Sequence, residues 1–227
     1  LLAVHVGLDH PTGEVVAGID GFLAVRQFEA TFRGESAHAG GHPAAGRDAV
    51  QALATAVQNL HAIRRHGDGA TRVNAGVVSG GTATNIVPEH ASIEGEVRGE
   101  TTELMEYMSE RAETVVGNAA AMHDCGSSTT TLAEAPSAES DATLADVVYD
   151  VAGDVTGVDS RLQTAELGGS EDATYLMNRV QERGGTASFV GVGTDHPGGH
   201  HTPTFDVDER SLAIGVDVLA GTVDRLW

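Results

Sequence analysis

Lysine is absent from this sequence: all 13 basic residues are arginine, set against 33 aspartates and glutamates, for a formal net charge of −20. No basic stripe exists to meet phosphates, which excludes nucleic-acid binding. An acidic surface without lysine reads as a solvated, halophilic one, because concentrated salt screens its self-repulsion. The single cysteine, Cys125, excludes an internal disulfide and any Cys-rich zinc site, and points to a cytoplasmic setting. Apolar runs break within about ten residues, too short to cross a bilayer, so no membrane association is expected. No basic-apolar-small leader is read either. The first residues, Leu1-Leu2-Ala3-Val4-His5-Val6, open inside a strand-like run, and an upstream part is expected to be missing.

What is present suffices for real cores: 227 residues, 41% of them hydrophobic. Residues 23–33 have strand character, and 44–64 carry Val50, Leu53, Val57, Leu60 and Ile63 at helical spacing. Two short strands follow at 71–79 and 91–99, the second alternating Ile93, Gly95 and Val97 with Glu94, Glu96 and Arg98. A helix over 102–122 and a Thr-rich strand over 127–133 complete the order β-α-β-β-α-β, the ferredoxin-like unit. After a linker at 134–140, helices near 141–156, 170–183 and 208–226 alternate with a short strand and a strand at 186–192, the rhythm of a three-layer α/β domain. The expected fold class is therefore α/β. A three-layer domain is built from 1–20 and 135–227, with its N-terminal half missing, and carries an inserted α+β domain over 21–134.

Several polar residues stand out from the 11 histidines and 29 glycines. His200 and His201 follow two glycines and precede Pro203; imidazole is a common metal ligand, and a polar loop before a helix is the competing reading. His5 lies in an apolar strand, as a core histidine or as a ligand at a strand end. His38 sits among glycines directly after a strand, either in a plain loop or as a group presented to an oxyanion. Asn85, after Gly80-Gly81, reads as turn chemistry or as a carboxylate binder. Arg98 reads as that binder's guanidinium partner or as half of a surface salt bridge. His61, His66, His90 and His123 read as structural or surface groups. The Gly-Gly runs fit neither phosphate-loop nor dinucleotide spacing.

Five segments taken in order carry a resemblance: Val4-His5-Val6, Gly34 to Pro43, Thr84 to Pro88 with Arg98, Gly169 to Thr174, and Val192 to Asp206. Together they are similar to the M20 metallopeptidase and amidohydrolase family over nearly the whole chain. The resemblance implies a catalytic α/β domain with two zinc or manganese ions and a ferredoxin-like lid that also makes the dimer, with an identical or a different partner. It implies metal ligation by His5 and by His201, with His200 as the alternative. It implies oxyanion stabilisation by His38 in a partner's site, substrate-carboxylate binding by Asn85 and Arg98, and a loop near the substrate at Gly168, Gly169 and Ser170. The family's remaining ligands and its general-base glutamate match nothing in this sequence, and Glu171 and Asp172 match a different motif. The implied activity is cleavage of the amide bond of N-acyl amino acids such as p-aminobenzoyl-glutamate. The alternatives are another deacylase, conjugate hydrolase or small-peptide carboxypeptidase of the family, or a non-catalytic truncated subunit.

Overall fold

The computed structural model describes residues 1–7, 9–196, 199–200 and 202–227, which divide into two compact units. One comprises Leu1–Phe22 with Ser137–Trp227, the other Leu23–Pro136.

The second unit is a four-stranded antiparallel sheet with helices on one face. Its elements are β3 (Ala24–Arg33), α1 (Ala49–His61), β4 (Thr71–Gly80), β5 (His90–Gly99), α2 (Thr102–Met122) and β6 (Gly126–Ala135). The strand order β4-β5-β3-β6 places the first and third strands of the unit at its centre, the ferredoxin-like arrangement. Helix α1 begins where Asp48 Oδ1 accepts from the amides of Val50 and Gln51, at 2.9 and 3.2 Å. This side-chain cap satisfies donors that have no partner within the helix. Its start lies five residues later than the apolar spacing indicates, because a 3₁₀ turn occupies Pro43–Ala45. The alternation in β5 buries Ala91, Ile93 and Val97 against Leu53, Ala56 and Leu60 of α1 and Met105, Met108 and Ala112 of α2. The opposite face of the sheet carries no helix of this unit and presents Glu29, Thr31, Ser92, Glu96 and Arg98.

The first unit is a mixed sheet in the order β1-β8-β2-β7: β1 (Leu2–Val6), β2 (Glu14–Asp20), β7 (Ser160–Glu166) and β8 (Ser188–Val192). Strand β8 runs parallel to β1 and antiparallel to β2, and β2 runs parallel to β7. Helices α3 (Ala142–Ala152) and α5 (Arg210–Leu226) cover one face, where Val148, Ile214 and Val218 pack on Val15, Val190 and Val192. The other face packs Val16, Ile19, Phe22 and Phe189 against Met177 of α4 (Ala173–Gln181). Three layers result, as the alternation of helix and strand indicates. Strand β2 is buried on both sides and therefore lacks the polar–apolar alternation that marks a half-exposed strand.

Phe32 is 1% exposed at the centre of the second unit's core. Phe32→Ala is expected to lower the unfolding free energy of that unit by about 3–5 kcal/mol. Urea denaturation would report it, and a loss below about 1 kcal/mol would contradict this core assignment.

Candidate functional site

At the end of the second unit's sheet, the chain leaving β3 does not turn away but stays paired to the residues that precede β5. The amide of Gly34 donates to the carbonyl of Glu89 at 2.8 Å, that of Val87 to Ala37 at 2.9 Å, and that of Ala39 to Asn85 at 2.9 Å. Residues 34–39 and 85–89 thus form a hydrogen-bonded ribbon that prolongs the β3–β5 pairing. The returning chain crosses it closely: a Cβ on Gly34 would lie 1.9 Å from the carbonyl oxygen of Arg47, so no larger residue fits there. Glu35 and Arg47 exchange backbone hydrogen bonds at 2.9 Å each, and their side chains form an ion pair.

This ribbon carries His38 and Asn85. His38 is exposed, bridges to Ile86, and accepts at Nδ1 from the amides of Gly41 (2.9 Å) and Gly40 (3.2 Å). Asn85 is exposed, and its side-chain amide makes no hydrogen bond among the described residues.

Arg98 is elsewhere. It lies near the far end of β5, eight residues beyond His90, or about 26 Å at an extended rise. Its guanidinium donates from Nε and Nη2 to both carboxylate oxygens of Glu96, at 2.7 and 3.1 Å. This hydrogen-bonded pairing raises the Arg98 pKa further above its ordinary value. Within one copy, then, Asn85 and Arg98 do not meet, and Arg98 already holds an internal carboxylate.

In the first unit, the carboxyl ends of the parallel strands β1 and β8 gather a second set of groups. His5 pairs in register with Gly191. Its Nδ1 lies 2.8 Å from the carbonyl oxygen of Val6, which can only accept, so Nδ1 carries a proton and, in the neutral ring, Nε2 has the lone pair. That Nε2 is 4.0 Å from Glu171 Oε1, and the ring lies edge-on to His200 with centroids 5.5 Å apart. A Cβ on Gly7 would lie 3.0 Å from His200 Cε1, and the His200 ring packs on His196 and Phe205. Gly168, with φ of +65°, anchors its amide to the carbonyl of Gly21 at 3.2 Å and starts the loop through Gly169, Ser170 and Glu171 into α4. The other expected ligand, His201, lies outside the described residues.

Nothing in the sequence alone marks Glu171, His196 or the pair His10–Glu14 as site groups. Only the spacing of four between His10 and Glu14 hinted at contact, and outside a helix that spacing has no fixed meaning. Here His10 Nδ1 lies 2.7 Å from Glu14 Oε1, and Ser160 donates to Oε2 at 2.8 Å. The turn they brace also receives the amide of Thr194 on the carbonyl of His10 at 2.9 Å.

Against known proteins, residues 25–124 match the M20 peptidase dimerisation domain. The chain belongs to the M20 peptidase family. It is 42% identical to indole-3-acetyl-aspartic acid hydrolase of Enterobacter agglomerans and 41% identical to a p-aminobenzoyl-glutamate hydrolase subunit of Escherichia coli K12, each over 97% of this chain and 51% of the relative. The crystal structure of an aminobenzoyl-glutamate utilization protein from Klebsiella pneumoniae superposes with a TM-score of 0.86 at 39% identity, over 97% of this chain and 53% of that one. The chain thus spans about half the length of the relatives it matches. The same fold, at a TM-score of 0.74 and 20% identity, occurs in a dinuclear metal-binding M20 peptidase from Bacillus subtilis, over 99% of this chain and 56% of that one.

A catalytic zinc typically takes three protein ligands. Among the described residues no three His, Cys, Asp or Glu side chains converge on one point. The described residues of this M20 chain therefore do not make a complete metal site, although the lone pair of His5 Nε2 and the ring of His200 suit part of one.

Hydrogen bonds from His10 and then Ser160 hold the Glu14 carboxyl below the usual carboxylate range. A depressed folded pKa means stability that is fully present above the unfolded value, about pH 4.3, and lost as pH falls through the lower folded value. His10→Ala is expected to move the Glu14 titration up toward its ordinary value. An NMR pH titration of that carboxyl would show it, and an unmoved midpoint would remove His10 as the cause.

Proposed function

We propose that this chain is part of a metal-dependent amidohydrolase that cleaves the amide bond of N-acyl amino acids, with aromatic acyl conjugates of aspartate or glutamate as its substrates. The observation that carries this reading is the match along 97% of the chain to two hydrolases whose named substrates share that chemistry, an aryl-bearing acyl group joined to a dicarboxylic amino acid. The reaction consumes water and yields a carboxylic acid and a free amine.

In this reading His5 and one of His200 and His201 contribute ligands to a divalent metal, zinc or manganese, that would supply Lewis-acid chemistry. The remaining ligands and the general base come from outside this chain. His38 stands ready to donate a hydrogen bond to the oxygen that becomes negative as the amide carbon turns tetrahedral. Asn85, on the same ribbon, offers amide N–H groups to a substrate carboxylate. Arg98 keeps Nη1 for a second carboxylate while Nε and Nη2 remain on Glu96. A glutamate or aspartate conjugate carries two such carboxylates. Because Asn85 and Arg98 lie at opposite ends of one sheet, they reach one substrate only if two copies of this chain join through the dimerisation domain; with a different partner, each substrate meets only one of the two. The loop Gly168-Gly169-Ser170 borders the substrate beside Glu171.

A second reading has the chain as a non-catalytic subunit that lends its lid and dimer surface to a partner. The lack of three converging metal-capable side chains among the described residues favours it. One experiment separates the two: metal content and hydrolysis of p-aminobenzoyl-glutamate and indole-3-acetyl-aspartate, measured on this chain and on a form extended to the length of its relatives. Turnover with bound metal only in the extended form supports the amidohydrolase reading, and absence of metal and turnover from both forms supports the non-catalytic one. In the active form, His38→Ala is expected to lower kcat about 10²–10³-fold, as for the loss of one oxyanion donor. Arg98→Ala is expected to raise KM for the dicarboxylic substrates about ten-fold or more, since a charge-assisted contact contributes roughly 1.5–3 kcal/mol. An unchanged KM would remove Arg98 from the carboxylate site.

A further inference from the structure

We infer that Gly40 and Gly41 are positioning residues whose backbone amides hold His38 in the Nε2–H tautomer, making its imidazole a dedicated hydrogen-bond donor. The inference rests on the reading of His38 as the group that meets the substrate oxygen, and it deepens that reading by naming what fixes the donor.

Neutral imidazole has one nitrogen that donates and one that accepts, and its environment selects which. At His38 the selection is unusually direct. Two amide N–H groups from successive residues converge on Nδ1, Gly41 at 2.9 Å and Gly40 at 3.2 Å. Both can only donate, so Nδ1 must present its lone pair. A proton on Nδ1 would turn all three N–H groups toward one another and leave both amides unsatisfied. Each amide bond favours the accepting nitrogen by roughly five-fold, so the two together favour Nε2–H by roughly twenty-five-fold.

The backbone of His38 is fixed from other sides. Its carbonyl accepts from the amide of His42 at 2.9 Å, its main chain bridges to Ile86, and the next residue, Ala39, donates to Asn85. The Nδ1 edge is therefore occupied by its own loop, and the Nε2 edge is the one left to a ligand. A base at this position would need Nε2 as the acceptor, which the two amides oppose.

The contribution comes from the amide N–H rather than from the lack of a side chain. A Cβ on Gly41 would lie 3.4 Å from His38 Nδ1, and one on Gly40 3.5 Å from Cε1, both ordinary contacts. Gly41→Ala therefore keeps the donor, and Gly41→Pro deletes it. This pair of variants separates hydrogen bonding from shape.

The test is nitrogen-15 NMR of the full chain with labelled histidine, at a pH where imidazole is neutral, with the His38 signals identified by their loss in His38→Gln. A protonated Nε2 and a bare, hydrogen-bonded Nδ1 are expected in the parent chain and in Gly41→Ala. Gly41→Pro should give shifts moved toward the tautomer average, with backbone dispersion elsewhere in the second unit retained. A protonated Nδ1, or an averaged pattern in the parent chain, overturns the inference. That spectrum decides it even if Gly41→Pro does not fold. In a form extended to the relatives' length, kcat for Gly41→Pro should fall at least ten-fold below that of Gly41→Ala, with KM unchanged within about two-fold. Equal kcat values would overturn the positioning role. If no hydrolysis is seen with any variant while the tautomer is as described, the functional reading fails and the inference about the two amides stands.

Discussion

The close crossing of Gly34 and the Arg47 carbonyl governs the functional end of the second unit. Because nothing projects from Gly34, the chain returning toward α1 packs directly across the ribbon. The ribbon in turn keeps 34–39 zipped to 85–89, and Asp48 can then cap the helix one residue after Arg47. Hydrogen bonds along an exposed ribbon are individually weak in water. Their arrangement in series, between a sheet and a capped helix, gives two exposed polar side chains a fixed position.

Much of this architecture was legible in the sequence for local reasons. The spacing of Leu53, Leu60 and Ile63, and of Leu104, Met108 and Ala112, marked α1 and α2 because amphipathic helices must bury one stripe. Alternation marked β5 for the corresponding reason in a one-sided sheet. Strand β2 escaped that logic, since a strand buried on both faces shows no alternation. The N-terminal limits of α1 and α4 lie several residues further in than the apolar spacing indicates, since a 3₁₀ turn takes Pro43–Ala45 and the loop through Gly169 and Ser170 runs up to Asp172.

Legibility of the candidate site divides along the same line. His38 and Asn85 were visible through the glycines and the proline around them, which are local signals. The Glu96–Arg98 pairing was visible in principle, since residues two apart share a face of a strand. What could not be read is distance across the fold: that Glu171 comes to 4.0 Å from His5, and that Asn85 and Arg98 end up at opposite ends of one sheet. The charge excess is expressed locally as well. The short-range carboxylate contacts of arginine recur within two or three residues, as in Glu96–Arg98, Asp208–Arg210 and Arg179–Glu182. With 33 acids to 13 bases, most carboxylates face water instead.

The strand order of the first unit has a consequence for how the chain can be made. Strands β1 and β2 are neighbours in sequence, yet β8 lies hydrogen-bonded between them, and β8 ends only at Val192. During synthesis, therefore, the sheet of the first unit cannot close until Ser188–Val192 has emerged. The second unit, by contrast, has every one of its strands by Ala135 and can fold while its host is still open. An interruption of translation between Ala135 and Ser160 leaves a folded insert preceded by β1 and β2 without β7 and β8, largely apolar strands with the kind of exposed edge that recruits chaperones or aggregates.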